Sequence, residues 1–189
     1  MSGLRRAPFE IAVRVPAWAE GATGRVQSPE PSGGTTYLRP ERLQPGSLWR
    51  TTRSWREGDV IVMDMPMGPR AVHPHPRIDA VRGCIAFERG PLVYCLEEID
   101  AGGADRLEAF RVPAGISLEA MESSIDGEPL VSLEGRAQLV AADDENSFPY
   151  RDKAWPRHAT AGTDIRLVPY FIWGNRRPGE AMRVWLPEA

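Results

Sequence analysis

The stretch from Val81 to Asp100 limits most strongly what this chain can fold into. It contains two short apolar runs, Gly83–Phe87 and Leu92–Leu96, which are rich in β-forming residues and bounded by turn residues. Runs of this kind are typical of buried or half-buried strands. Between them, Gly90 can adopt a positive φ, and Pro91 fits only at a strand start or a bulge because it cannot donate to a sheet ladder. The stretch therefore predicts a β-hairpin, or one long strand bent at Gly90-Pro91.

Glycine and proline, with 18 residues each, are spread along the 189-residue chain instead of being clustered. Such spacing favours many short strands over a few long helices. Apolar and polar residues alternate in Phe9–Val15 and Ser47–Trp55, Asp59–Met65 is predicted as another strand, and Gly58 is expected to join the last two as a hairpin. Other strands are predicted over Thr35–Leu38, Leu107–Val112, Ile116–Glu122, Pro129–Leu133, Arg136–Ala141, Asp164–Trp173 and Met182–Leu186. For Ile116–Met121 one helical turn is the alternative, and the pattern does not decide between the two. We therefore predict an all-β fold, an antiparallel β-sandwich of the jelly-roll kind, complete or incomplete.

The charge and hydropathy of the chain exclude several classes of partner. It has 23 basic and 26 acidic residues, a formal net charge of −3 and no basic stripe, which makes nucleic acid a poor partner. No apolar run approaches the roughly 18–20 residues of a membrane span. The residues that follow the basic N-terminus alternate instead of forming the apolar region of a signal peptide. We therefore expect a cytoplasmic protein that binds neither nucleic acid nor membrane.

The two cysteines, Cys84 and Cys95, lie in the two runs of the predicted hairpin. A two-residue loop at Arg89-Gly90 would place them opposite each other, where a disulfide is conceivable. Arginine is unfavourable at a positive-φ turn position, however, which indicates a longer or bulged turn and a shifted register. Free thiols packed as small apolar side chains are the favoured interpretation, although pairing stays open. No histidine nearby in sequence would activate a catalytic thiol.

Histidines and carboxylates also occur in groups that resemble metal-binding or catalytic sites. His73 and His75 would point the same way on an extended segment, but they lack a third metal ligand, and Asp79 is a poor one. Glycosidases use two carboxylates on opposite sides of the scissile bond. The acidic groups at Glu97–Asp100 and Asp143–Glu145 show no convergence, and adjacent strand residues face opposite ways. We therefore predict no catalytic, cofactor-binding or metal-binding residue in this chain.

Six tryptophans are many for a chain of this length. Four of them lie within predicted strands and are expected to fill the core: Trp49, Trp55, Trp173 and Trp185. Trp18 and Trp155 lie in predicted loops. These two are the candidate sugar-contact residues.

Three stretches taken together resemble one known family. They are FEIAVRVPAWA (residues 9–19), the block Arg53–Met67 running on through His75–Glu97, and PYFIWGNRRPGEAMRVWLP (residues 169–187). In this order and spacing they resemble the C-terminal region of the β-L-arabinofuranosidase-type glycoside hydrolases, glycoside hydrolase family 127 and its relatives. The resemblance covers roughly residues 9–100 and 164–187 and is weak over residues 101–163.

This resemblance implies an N-terminal (α/α)6 barrel that carries the active site, followed by β-sandwich domains. In the barrel a zinc ion is held by a glutamate and cysteines, one of which is the nucleophile, and a glutamate is the acid/base. Cys84 and Cys95 do not match that motif, so no catalytic residue carries over. The layout implies a sandwich from residues 1–100 plus 164–189, with residues 101–163 as a smaller inserted β unit that includes a long polar loop.

We therefore expect this chain to be a non-catalytic C-terminal β-sandwich portion of such a hydrolase, which supports the barrel. Zinc would belong to the barrel, and no cofactor is expected here. The expected partners are the barrel, carbohydrate and a second copy of the chain, since missing strands would leave an open apolar face. The alternative is a free-standing carbohydrate-binding β-sandwich module.

Overall fold

The structure is a computed structural model that describes residues 7–30, 33–101, 107–140, 150, 152, 159–177 and 179–189. In this part of the chain, fifteen short strands are accompanied only by single turns of 3-10 helix, so the predicted all-β class is confirmed. None of the described helices has the length and apolar character needed to cross a membrane. The chain divides into two compact units, the N-terminal unit Met1–Met67 and the C-terminal unit Gly68–Ala189.

The N-terminal unit contains two small antiparallel sheets. Its strands are β1 (Phe9–Arg14), β2 (Thr23–Pro29), β3 (Thr35–Tyr37), β4 (Glu41–Arg42), β5 (Leu48–Arg53) and β6 (Val60–Asp64). Strands β1 and β5 form one sheet, and β3, β4 and β6 all pair with β2 in the other. The core consists of Val15, Ala19, Ala22, Leu43 and Trp49. Gly24 makes room for the Trp49 ring, because a Cβ at that position would lie 2.8 Å from it.

The predicted hairpin between β5 and β6 is wrong. Strand β5 pairs with β1, placing Phe9 opposite Arg53, whereas β6 pairs with β2 in the other sheet. A tight turn does form at the expected place: the Arg56 N–H donates to Asp59 Oδ2 at 2.9 Å, and the Asp59 N–H donates to the Arg56 carbonyl at 3.1 Å. This turn connects a strand of one sheet to a strand of the other. Local sequence signals are the same for such a connection and for a hairpin, so they do not distinguish the two.

The C-terminal unit contains one extended antiparallel sheet. Its strands are β7 (Pro69–Val72), β8 (Cys84–Arg89), β9 (Leu92–Glu97), β10 (Phe110–Arg111), β11 (Glu119–Ile125), β12 (Glu128–Val140), β13 (Ala159–Pro169), β14 (Met182–Arg183) and β15 (Leu186–Pro187). The 3-10 helices are Asp79–Val81, Glu98–Asp100, Leu107–Ala109 and Tyr170–Ile172. The strand order is β10-β12-β13-β9-β8-β15, with β11 on β12, β14 on β9 and β7 on β8.

The hairpin predicted around Gly90-Pro91 is present. Arg89 lies opposite Leu92, so the loop consists of Gly90 and Pro91 alone. Gly90 has a φ of 57°, as the first residue of a II′ hairpin turn requires, and the fixed φ of proline suits the second position. Beyond the loop the strands separate, since β8 pairs with β7 and β15 whereas β9 pairs with β13 and β14.

The structure divides the chain elsewhere than the sequence predicts. Strand β12, from the segment predicted to be an inserted unit, pairs with β13 at Leu133 opposite Leu167, and Leu167 in turn lies opposite Leu96 of β9. Leu133 and Leu96 also belong to the same buried cluster. Strands β10–β13 therefore share one sheet and one core with β8 and β9, and the division falls between Met67 and Gly68.

Candidate functional site

The structure describes one of the two tryptophans predicted as sugar contacts. Trp18 is half-buried and packs against the core of the N-terminal unit. Trp155 lies outside the residues that the structure describes. A role for either in sugar contact stays a prediction.

Cys84 and Cys95 are free thiols, as favoured from the sequence. Cys84 lies opposite Pro187 of β15, and Cys95 lies opposite Val168 of β13. The register is shifted, as the turn chemistry indicated, but the longer or bulged turn predicted with it is wrong, because the loop has two residues. This loop begins one residue later than the loop that would place the cysteines opposite each other. The two sulfur atoms are therefore on strands that have already separated.

The two thiols are expected to differ in reactivity. Burial raises the pKa of the Cys95 thiol to about 12, and the nearby Glu97 carboxylate adds to the increase. Because the thiolate is the reactive form, iodoacetamide at pH 8 should alkylate the half-buried Cys84 in the native chain and leave Cys95 unmodified. Peptide mass spectrometry measures both sites, and labelling in urea, where both should react, is the control. Equal labelling of the two in the native chain would contradict this expectation.

The histidines do not form a metal site in the part of the chain that is described. The Nδ1 atom of His73 lies 3.7 Å from the Glu188 carboxylate, and Nδ1 of His75 accepts a hydrogen bond from the Arg77 N–H at 3.2 Å. Among the described residues, no group of three or more His, Cys, Asp or Glu side chains could hold a metal ion. These residues therefore do not fit the zinc site that the family resemblance implies for the barrel.

Glu97, Asp100 and Arg176 form a buried charged group, which we call the Arg176 cluster. The guanidinium donates to Glu97 through Nε at 2.7 Å and to Asp100 through Nη1 at 3.0 Å, while the Gly174 N–H donates to Glu97 at 3.1 Å. Burial would lower the pKa of Arg176, but the hydrogen bonds to Asp100 and Glu97 hold it above its ordinary value.

Sequence reasoning missed the Arg176 cluster. It considered Glu97 only as a member of an acidic group without convergence, whereas Glu97 is 1% exposed and is paired with Arg176. The acidic group at Asp143–Glu145 lies outside the described residues. Arg176 is 79 residues from Glu97 in the chain, so no local pattern could have joined them.

The segment that follows β13 presents three aromatic side chains at the surface, Tyr170, Phe171 and Trp173, which we call the aromatic ridge. The rings of Tyr170 and Trp173 stack with centroids 6.1 Å apart and planes inclined by 20°. Phe171 is 67% exposed. The prediction that Trp173 lies in a strand and in the core is wrong, because β13 ends at Pro169 and the chain then turns in a 3-10 helix.

A groove of about 510 Å³ lies beside the aromatic ridge. It forms because the ladder between β12 and β13 stops at Leu133 and Leu167, so that the start of β12 separates from the end of β13. The Tyr94 hydroxyl donates to the Val131 carbonyl at 2.9 Å across this separation. Arg89 and Glu122 are the charged residues of its lining, and Phe171 contributes a ring.

A second, more polar cleft of about 740 Å³ lies elsewhere in the C-terminal unit. Its charged residues largely face each other: Arg166 lies 3.9 Å from Asp100 and 4.0 Å from Glu134, and Arg136 lies 3.5 Å from Asp164. The two arginines thus face three of the four carboxylates of the lining, and Glu119 is the fourth.

Family models match nearly the whole chain. The model of the glycoside hydrolase family 127 C-terminal domain matches residues 69–187, and that of the β-L-arabinofuranosidase middle domain of the same family matches residues 3–67. The chain is 29% identical over 182 residues to a non-reducing end β-L-arabinofuranosidase of Bifidobacterium longum subsp. longum. That match covers 93% of this chain and 25% of the relative, so the chain spans a quarter of the relative's length.

Solved structures of glycoside hydrolases are also similar to this chain. A glycoside hydrolase is similar with a TM-score of 0.79 and 33% identity, covering 98% of this chain and 28% of the other. A family 127 β-L-arabinofuranosidase from Geobacillus stearothermophilus T6 is similar with a TM-score of 0.73 and 31% identity, covering 97% of this chain and 27% of the other. A third structure, a family 127 β-arabinofuranosidase, shares the fold with a TM-score of 0.72 at 23% identity, covering 96% and 28%.

Proposed function

The chain belongs to glycoside hydrolase family 127, and from this membership we propose that it supplies the middle and C-terminal β-domains of a β-L-arabinofuranosidase. In this role it supports the part of the protein that carries the active site. Hydrolysis of a terminal arabinofuranoside is assigned to the whole protein, and this chain contributes no catalytic residue.

One observation carries the proposal: the boundary between the two matched family domains coincides with the boundary between the two structural units. The middle-domain match ends at residue 67 and the C-terminal match begins at residue 69. The two compact units divide between Met67 and Gly68. Two β units that correspond one to one with two family domains support the assignment of the chain to those domains.

The charged groups of the C-terminal unit also support a structural role. Glu97 and Asp100 both bind Arg176, and the arginines of the polar cleft face its carboxylates. A general acid or a nucleophile must reach the substrate. Carboxylates held by a buried arginine stabilise the unit and are not free for that chemistry.

The partners follow from the same proposal. By the family layout, an (α/α)6 barrel with the zinc site would carry catalysis and pack on this chain. Among the described residues, β1 and β5 pair only with each other, so the outer edge of each strand has backbone groups without a strand partner. Such edges favour further pairing. We place either the remainder of the protein or a second copy of the chain there.

Hydrolysis of an aryl β-L-arabinofuranoside tests the proposal. The purified chain, supplied with zinc and a reductant, should give no turnover, while a full-length family member assayed in parallel should release the aryl group. Sedimentation of the chain alone and mixed with a separately produced barrel should show association in at least one case. Turnover by the chain alone would overturn the assignment of catalysis to the barrel, and a monomer in both sedimentation runs would overturn the proposed contacts.

A further inference from the structure

The groove beside the aromatic ridge has one apolar wall and one polar wall. The apolar part is formed by side chains such as Leu92 and Leu130, together with the Phe171 ring at its rim. Its volume of about 510 Å³ is within the range of about 300–1,000 Å³ typical of small-ligand sites. An exposed ring beside a concave surface offers a flat apolar face to a ligand that also carries polar groups.

Arg89 is the cationic side chain of the groove. Its Nε atom is buried and has no hydrogen-bond partner in the described part of the chain. Because that atom is closed to solvent, a ligand would bind Arg89 through the other nitrogens of the guanidinium, which also interacts with the Tyr94 hydroxyl. The groove therefore offers a cationic donor beside the hydroxyl of Tyr94.

Arg89 and Glu122 contribute one positive and one negative group to the lining, so the lining has no net formal charge. It therefore favours neither an anion nor a cation. A neutral ligand with several hydroxyl groups can accept from Arg89 and donate to Glu122 at once.

The ridge that borders the groove is held in place. Tyr170 and Trp173 stack on each other, the Trp173 N–H donates to the Tyr170 carbonyl at 3.1 Å, and the next residue, Gly174, donates to the buried Glu97. The Phe171 ring is thus presented from a fixed backbone. A fixed backbone reduces the conformational entropy that is lost on binding.

We propose that this groove binds a neutral saccharide, with the apolar face of a sugar ring on Phe171 and its hydroxyl groups on Arg89 and Glu122. The site would be an accessory sugar contact in the C-terminal unit. It does not depend on the proposed function, because the binding is measured on this chain without any hydrolysis.

Isothermal titration of the full chain tests the site. The probes are methyl β-L-arabinofuranoside and cellobiose as neutral sugars, and sodium D-galacturonate as the anionic comparison. We expect saturable binding of at least one neutral sugar and weaker binding of galacturonate. Phe171→Ala and Arg89→Met should each weaken binding about tenfold. Tyr150→Ala is the matched control, because Tyr150 is exposed and does not line the groove, and it should bind as the unchanged chain does.

Thermal unfolding of each variant separates loss of binding from loss of fold, and Phe171→Ala is the decisive variant because its ring is exposed. Failure of both neutral sugars to bind the folded chain would overturn the proposal. Undiminished binding by folded Phe171→Ala would also overturn it. If no sugar binds and Phe171→Ala changes the sedimentation of the chain, the groove contacts another protein chain. The proposal of a saccharide site would then be wrong. None of these outcomes depends on the arabinofuranoside hydrolysis assay.

Discussion

Replacement of Arg176 by methionine is expected to lower the free energy of unfolding of the C-terminal unit by about 3–5 kcal/mol, the usual cost of removing one partner of a buried ion pair. The guanidinium is the cation that binds both Glu97 and Asp100, whose side chains are only 1% and 9% exposed. Methionine fills much of the volume of the arginine side chain, but it leaves the two buried carboxylates without the positive charge of Arg176. Urea unfolding followed by circular dichroism measures the change.

Arg136→Met is the matched control for this experiment. Arg136 lies in the same unit, and its ion pair with Asp164 spans 3.5 Å between side chains that are 74% and 90% exposed. Its replacement should change stability by less than about 1 kcal/mol, as exposed pairs do. Adding Glu97→Gln to Arg176→Met should recover part of the loss, because the amide carries no charge. Equal effects of the two single replacements would contradict a structural role for the Arg176 cluster.

Replacement of Phe110 by alanine is expected to destabilise the C-terminal unit by about 3–5 kcal/mol, as typical Phe→Ala changes in cores do. Phe110 is fully buried on the two-residue strand β10 and belongs to the same cluster as Leu96 and Leu133. Alanine would leave a cavity among side chains that belong to several strands. Hydrogen exchange should show lost protection in β9 and β12, and the midpoint of urea unfolding should fall.

Phe171→Ala provides the comparison for Phe110→Ala. The two residues are the same type, but Phe171 is 67% exposed. Its replacement should change stability by no more than about 0.5 kcal/mol, as surface substitutions usually do. A similar loss of stability in both variants would show that the described core is not centred on Phe110.

Local signals in the sequence predicted much of the fold. The alternating segment Phe9–Val15 and each of the two runs around Gly90-Pro91 correspond to a strand in the structure. A period of two can be recognised within a single segment, without knowledge of its partner. One available signal was missed. Asp126 and Gly127 have φ of 52° and 85° and join β11 to β12, and an Asp-Gly pair is among the strongest hairpin signals.

Errors arose where the partner of a segment decided the outcome. The turn at Arg56–Asp59 was found, but the strands that it joins lie in different sheets. The strand predicted to run through Trp173 ends in the structure at Pro169. In both cases the local pattern is compatible with two arrangements, and contacts with distant strands select one of them.

The candidate site was the least predictable feature. The groove exists because β12 and β13 stop pairing at Leu133 and Leu167, and Arg89 reaches it from a hairpin more than forty residues earlier in the chain. The sequence predicted Trp18 and Trp155 as sugar contacts, while the exposed ring beside a groove is Phe171. Whether an aromatic side chain is exposed depends on the tertiary packing, and the identity of the residue does not reveal that packing.

The sequence by itself determined the all-β class, the turn at Gly90-Pro91 and the family. Alternation, turn residues and collinear motifs are local features, so they can be recognised without knowing which segments pack together. Only the tertiary structure decided the boundary at Met67, the Arg176 cluster and the groove beside Phe171. Glu97 shows the reason most clearly. Its burial as a charged group is stable only because an arginine 79 residues away pairs with it, and that pairing exists only once the sheet has formed.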